Sequence, residues 1–177
     1  MKILRYAIMV GAIILLTAFT IYNAANWQIK DGFNIKFTGT SVEGNFETIK
    51  GDIAFDENDL ATSKFNLDVD VTSIATGNWL KNRHAKSEKW FNAEKYPNIH
   101  LTSTKFTKST NRYIVDGVLE MHGVKKKVSF PFTFTNNIFK SNFTVNRMDY
   151  GVGTMEGMSK KVSNEIKLEV SIPVRKK

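Results

Sequence analysis

From residue 27 onward, apolar side chains recur at every second position. Trp27, Ile29, Phe33, Ile35 and Phe37 open the series, followed by Val42, Gly44 and Phe46, then Ile49, Gly51, Ile53 and Phe55. The pattern returns as Phe65, Leu67, Val69 and Val71, and again over residues 99–106. Tyr113 to Met121, Val128 to Phe134, Phe139 to Val145 and Ile166 to Val174 repeat it. A period of two puts one face of each segment in a core and the other in water, so the segments predict about eight or nine strands. Short connections at 108–112 and 135–138 make neighbours antiparallel. Strands this long leave open edges unless the sheet closes on itself. An eight-stranded closed barrel has a bore wide enough for side chains or one slender ligand. A two-sheet sandwich is the competing architecture.

One passage breaks the alternation. Over residues 79–97, Leu80, His84, Ser87 and Phe91 share a helical face, with Trp79, Arg83, Lys86 and Trp90 beside it. Pro97 ends this helix-like stretch, and a strand pattern resumes at Ile99. A single aromatic-rich helix among strands is expected to form a lid or plug on the barrel, which points to a ligand inside.

The N-terminus reads differently. Lys2 and Arg5 precede an uncharged apolar run from residue 7 to residue 21, the layout of a secretory signal or signal anchor. We therefore expect residues 1–25 to be a signal peptide or an N-terminal membrane anchor helix. Residues 26–177 then form one barrel domain, exported to a periplasm with the leader as a candidate tether to the inner membrane. The chain has no cysteine, which removes disulfides, thiolate metal sites and attachment of lipid through an N-terminal cysteine. Dropping Lys2 and Arg5 from the 25 basic residues leaves 23 against 17 acids. That excess favours anionic surfaces such as phospholipid headgroups.

Catalytic signatures do not emerge. His84, His100 and His122 fall in separate elements, without the spacing that marks a metal site. Residues 39–44 contain a serine between glycines but lack the nucleophile-elbow spacing, and no phosphate-binding glycine loop is present. Asp68 and Asp70 share the wet face of one strand. Lys125-Lys126-Lys127 and Arg175-Lys176-Lys177 could meet phosphates. The strand aromatics, however, keep phase with the aliphatics on the buried face, away from any stacking platform for nucleic acid. The remaining candidate is the apolar interior, with thirteen phenylalanines and three tryptophans. An ordinary packed core and a lipid-binding bore both account for that composition.

Several passages, in order, carry a resemblance. They are Gly44-Asn45-Phe46, Gly51-Asp52-Ile53-Ala54-Phe55-Asp56, Ser73-Ile74-Ala75-Thr76-Gly77 and Asn82-Arg83-His84-Ala85-Lys86-Ser87. Trp90-Phe91-Asn92-Ala93-Glu94-Lys95-Tyr96-Pro97, the run 117–124 and Asn146-Arg147-Met148-Asp149-Tyr150-Gly151 complete the set. With these the chain resembles the YceI-like family of polyisoprenoid-binding, lipocalin-like proteins over residues 27–174. The resemblance implies an all-β fold, an extended eight-stranded antiparallel barrel with one short helical lid. It further implies a long-chain isoprenoid, polyprenyl or quinone-like, or a related amphiphile in the bore, held for transport, storage or stress response. No catalysis, required cofactor or metal is implied. Glu120-Met121 and Lys125-Lys126 depart from the family, which more often places a threonine in each stretch, and bear on the ligand's polar end.

By alternation the bore is expected to receive Phe37, Phe46, Phe55, Phe65, Leu67, Leu101, Tyr113, Val115, Leu119, Phe130, Phe132 and Phe143. Trp79, Leu80, Trp90 and Phe91 would form the lid, with Arg83 and His84 as its polar contacts. Arg147, Asp149 and Tyr150 would brace the last hairpin, where Gly151 and Gly153 let the chain bend. Expected partners are the lipid and a membrane surface or anchor, with a homodimer as a candidate assembly and no nucleic acid. An enzyme acting on an isoprenoid or quinone and a packed scaffold without ligand are the alternatives.

Overall fold

The computed structural model describes residues 24–177, so the expected signal or anchor segment lies outside the described residues up to residue 23. Among the described residues, no helix is long and apolar enough to cross a membrane.

Eleven strand segments form one antiparallel sheet. Asn26–Ile29 (β1) and Asn34–Gly39 (β2) are two parts of one ribbon interrupted near Gly32 (φ 84°). Val42–Phe46 (β3) and Ile49–Ala54 (β4) form the next, with β3 paired to β2 and β4 to β1. Their break is bridged from outside the ribbon: Ser73 Oγ accepts the Glu47 and Thr48 N–H groups at 3.1 and 3.0 Å. The third ribbon comprises Lys64–Asp70 (β5), paired to β4, and Ile74–Ala75 (β6), paired to β3. Then follow Asn98–Ser109 (β7), Arg112–Met121 (β8), Val124–Thr135 (β9), Ile138–Asn146 (β10) and Glu165–Lys176 (β11).

The last strand closes the structure. β11 pairs with β10 on one side and, on the other, with β2 through Leu168–Phe37 and with β1 through Val174–Ile29. The eleven segments thus make an eight-stranded antiparallel closed barrel, and a sandwich is excluded. Closure leaves every ribbon with a neighbour on both sides.

Turn chemistry sets the registers. Asn136 and Asn137 both adopt positive φ, 53° and 59°, in the two-residue turn between β9 and β10, which suits the twist of the flanking strands. His122 and Gly123 do the same between β8 and β9. A bulge between Ser103 and Lys105 shifts the register of β7 against β8. Both Leu101 and Phe106 can therefore face inward although one is odd-numbered and the other even.

The helix is shorter than the sequence pattern suggests. Helix α1 spans Trp79–Lys86 and is capped by Asn78, whose side chain accepts from the N–H groups of Leu80 and Lys81, both at 3.0 Å. It stops because Ser87 turns its N–H and its hydroxyl onto the His84 carbonyl. The remainder, 87–97, is a compact turn pinned by Phe91 N–H to Ala85 O and Ala93 N–H to Lys86 O.

The interior divides along the barrel. At one end Phe55, 1% exposed, touches the rings of Phe65, Phe106, Tyr113, Phe132, Phe134 and Phe139. At the other end Ile35, Phe37, Phe46 and Ile74 form one cluster and Leu119, Met121, Val145, Tyr150 and Val152 another.

Candidate functional site

Between those two clusters lies a cavity of about 560 Å³. Its walls are inward residues of β2, β8, β10 and β11, among them Ile35, Leu119, Met121, Val145, Leu168 and Val170. Phe130 and Phe143 form part of the wall as a stacked pair with centroids 4.2 Å apart. Phe65, Phe132 and Phe139 are shared with the packed cluster and make the floor. Ala85 of α1 together with Trp90 and Phe91 of the following turn lie over it, and Phe91 packs edge-on against Phe46 at 6.0 Å. The space exists because this end carries mostly aliphatic side chains, with fewer rings meeting in its centre than at the other.

The polar part of the lining comes from several elements. Lys81 and His84 belong to α1, Ser41 and Thr76 to the connections after β2 and β6, and Lys140 and Ser141 to β10. Arg147, Ser159 and Lys161 belong to the long segment between β10 and β11. That segment includes two short 3-10 turns, Arg147–Tyr150 and Gly157–Lys161.

Arg147 holds this segment. Only 4% exposed, it donates from Nε to Ser163 O at 3.1 Å and from Nη1 to Val152 O at 2.7 Å. Nη2 donates to Ser159 O at 3.2 Å, Val162 O at 3.1 Å and Asn164 Oδ1 at 3.4 Å. Its guanidinium also lies over the Trp90 ring, 5.4 Å from the centroid. Burial pushes its pKa below the usual arginine value. Gly153 is required beside it. Its φ is +77°, and a Cβ there would stand 2.6 Å from Arg147 Nη1 and 2.9 Å from the Trp90 ring.

The structure gathers Phe37, Phe46, Phe65, Leu67, His84, Trp90, Phe91, Leu101, Leu119, Phe130, Phe132 and Phe143 around the cavity. Phe55, Tyr113 and Val115 also point inward, but they lie in the packed end and do not line it. Trp79 and Leu80 do not reach the cavity: they stand 72% and 44% exposed at the start of α1. Arg83 is exposed and outside the lining, so α1 contributes Lys81, His84 and Ala85 instead. The reason is the short helix: Lys81, His84 and Ala85 fall on its inner side at three- and four-residue spacing.

The lining also includes Ile35, Met121, Val145, Leu168 and Val170, which carry the same alternation as the expected set but are not among its members. Lys81, Lys161 and the cavity-facing role of Arg147 had no sequence signal. Away from the cavity, Asp68 and His100 pair across β5 and β7 on the outer surface. Among the described residues no group of three or more His, Asp or Glu side chains is placed to hold a metal ion.

A closed antiparallel barrel with one apolar cavity wall, a short helix at the mouth and a polar rim defines a class of barrels built around an internal chamber. The YceI-like domain family matches residues 22–174, and the chain belongs to that family. A UPF0312 protein of Photorhabdus laumondii is 37% identical over 98 residues, covering 55% of this chain and 51% of its own length. A UPF0312 protein of Yersinia enterocolitica is 28% identical over 151 residues, covering 79% and 77%. The chain thus spans about half the length of the Photorhabdus relative. Among solved structures, BcnA of Burkholderia cenocepacia superposes with a TM-score of 0.75 at 24% identity, covering 81% of this chain and 96% of that one. A polyisoprenoid binding domain from Saccharophagus degradans, implicated in plant cell wall breakdown, superposes with a TM-score of 0.61 at 12% identity, covering 85% and 98%. These two likenesses concern the fold.

Proposed function

We propose that the protein is a non-catalytic lipid-binding carrier that holds one long-chain amphiphile inside the barrel. The observation that carries this reading is the 560 Å³ apolar cavity. A water occupies about 30 Å³ of liquid and a methylene nearly as much, so the space suits a chain of roughly twenty carbons. That is about four isoprene units or one fatty chain. Burial of each methylene contributes roughly 0.8 kcal/mol before ordering costs, so such a chain needs no covalent or metal attachment. The Saccharophagus domain, a structural neighbour, is described as polyisoprenoid binding, which agrees with an isoprenoid, polyprenyl or quinone-like cargo.

Exchange at a membrane surface completes the reading. Trp79, Leu80 and Met155 are exposed large apolar side chains. They lie on the two segments, α1 and 152–162, that also supply Lys81 and Lys161 to the cavity. Large apolar groups beside a lipid chamber are suited to the headgroup region of a bilayer. The basic apolar leader read from Lys2, Arg5 and residues 7–21 supports export to a periplasm.

Native mass spectrometry of the protein purified from a bacterial host without detergent tests the carrier. The expected result is a discrete added mass that passes into organic solvent as a fatty or isoprenoid chain, and the same spectrum reads monomer against dimer. A bare mass, unchanged after incubation with chains of that length, would leave a scaffold without ligand as the better description.

A further inference from the structure

Apart from hydroxyl side chains and His84, the polar lining of the cavity is of one sign. Lys81, Lys140, Arg147 and Lys161 line it, and none of the chain's 17 acidic residues does. Among the described residues, neither Lys81, Lys161 nor Arg147 makes an ion pair. Arg147 is the informative member. Its five acceptors are four backbone carbonyls and one amide oxygen, so dipoles solvate the charge and nothing cancels it. A buried charge normally has a partner of opposite sign. A cleft with low-dielectric walls and one sign of charge concentrates its field on whatever enters.

We infer that the preferred occupant is an amphiphile with a terminal anionic group, a carboxylate or a phosphate monoester. Lys81 and Lys161 contact that group at the mouth, Arg147 acts on it through its field, and the chain runs inward to the phenylalanine floor. This inference rests on the carrier reading above. Lys81 of α1 and Lys161 of the segment between β10 and β11 line the same cavity, so one head can meet both amines. Arg147 is already held by its acceptors and is not free to swing towards the ligand. A neutral head can accept a hydrogen bond from these amines but carries no charge for their field to act on.

The test compares heads on one tail. The full chain, stripped of endogenous lipid, is titrated at low salt with hexadecanoic acid, hexadecyl phosphate, hexadecanol and hexadecanamide by displacement of a fluorescent apolar probe. The acid or the phosphate is expected to bind at least roughly tenfold more tightly than both neutral compounds, with an advantage that shrinks as salt rises. Whichever anion binds more tightly identifies the head. In the Lys81→Ala/Lys161→Ala double variant, whose two positions are exposed, the ratio of anion to hexadecanol affinity measured within that variant should fall by at least about fivefold, the remainder being the field of Arg147. Equal affinity for all four compounds, or an anion preference undiminished in the double variant, overturns the inference and leaves the carrier intact. Failure of every compound to displace the probe overturns the carrier reading, and the inference falls with it.

Discussion

The two ends of this barrel use the same ribbons and fill them differently. Along β8 the inward residues run from Tyr113 and Val115 at one end to Leu119 and Met121 at the other, and along β11 from Val174 and Ile172 to Val170 and Leu168. At the first end the neighbours are rings, with Phe55 surrounded at centroid distances between 5.1 and 6.2 Å. At the second end most facing side chains are aliphatic, and 560 Å³ stays open. Backbone closure sets the width of the bore, and the volume of the inward side chains decides whether it is solid. One end therefore supplies cohesion and the other a chamber, so each should answer differently to the same kind of substitution.

The largest contrast is expected from removing a ring. Phe55→Ala deletes the centre of the packed end and should lower stability by about 3–5 kcal/mol, read as a shift in urea midpoint at constant slope. A loss below about 1 kcal/mol would mean that this end is not the cohesive one.

Next comes a pH effect confined to the packed end. Tyr113 Oη donates to Glu57 Oε1 at 2.7 Å, and burial together with that carboxylate pushes the Tyr113 pKa up from 10.0 to about 12. The unfolded chain gives up this proton at the lower value and the folded chain at the higher. The contribution, on the order of 2–3 kcal/mol, is thus fully present below about pH 10 and lost as pH rises through about 12. Urea midpoints measured at about pH 9 and about pH 11 should fall more steeply in the wild type than in Tyr113→Phe. Parallel slopes would remove Tyr113 from the account.

Gly153→Ala probes the hollow end's retaining segment. Positive φ costs an alanine roughly 1–2 kcal/mol, and the added Cβ collides with Arg147 and Trp90. We expect a loss of that order or somewhat more, with faster exchange of amides in segment 152–162 than in β8. Uniform exchange over both would show that the segment opens only when the whole barrel unfolds.

The smallest effect on stability should carry the sharpest effect on binding. Leu119→Phe puts extra volume into empty space and should change stability by less than about 1 kcal/mol. Val115→Phe, at a fully buried site of the packed end, should cost about 1–3 kcal/mol. Leu119→Phe should also shift the preferred chain to a shorter one, seen by competing chains of different length for the cavity. An unchanged length preference would place the occupant elsewhere.

Much of this architecture can be read from residue order. Alternation at Val115, Leu119, Phe130, Phe132 and Phe143 identifies inward positions because side chains of a strand point to alternate faces. The bulge at Ser103/Lys105 is less legible, since its displaced pairing is visible only against β8. The helix-like pattern runs past the end of α1 because Trp90 and Phe91 fit the compact turn that carries them as well as they fit a helix. Trp79 and Leu80 look like lid residues by composition, yet the cap at Asn78 fixes a helix that turns Lys81, His84 and Ala85 to the cavity.

By itself the sequence determined the strands, their antiparallel order and the family, because alternation, turn residues and local motifs are properties of neighbouring positions. Closure decided the rest. Lys81 and Lys161 lie on one cavity although many strands separate them in the chain, and Arg147 becomes buried because the segment after β10 folds its carbonyls around it. Which end is hollow and which charges meet at its mouth depend on side chains from several ribbons sharing one volume, and packing across the barrel is what brings them into it.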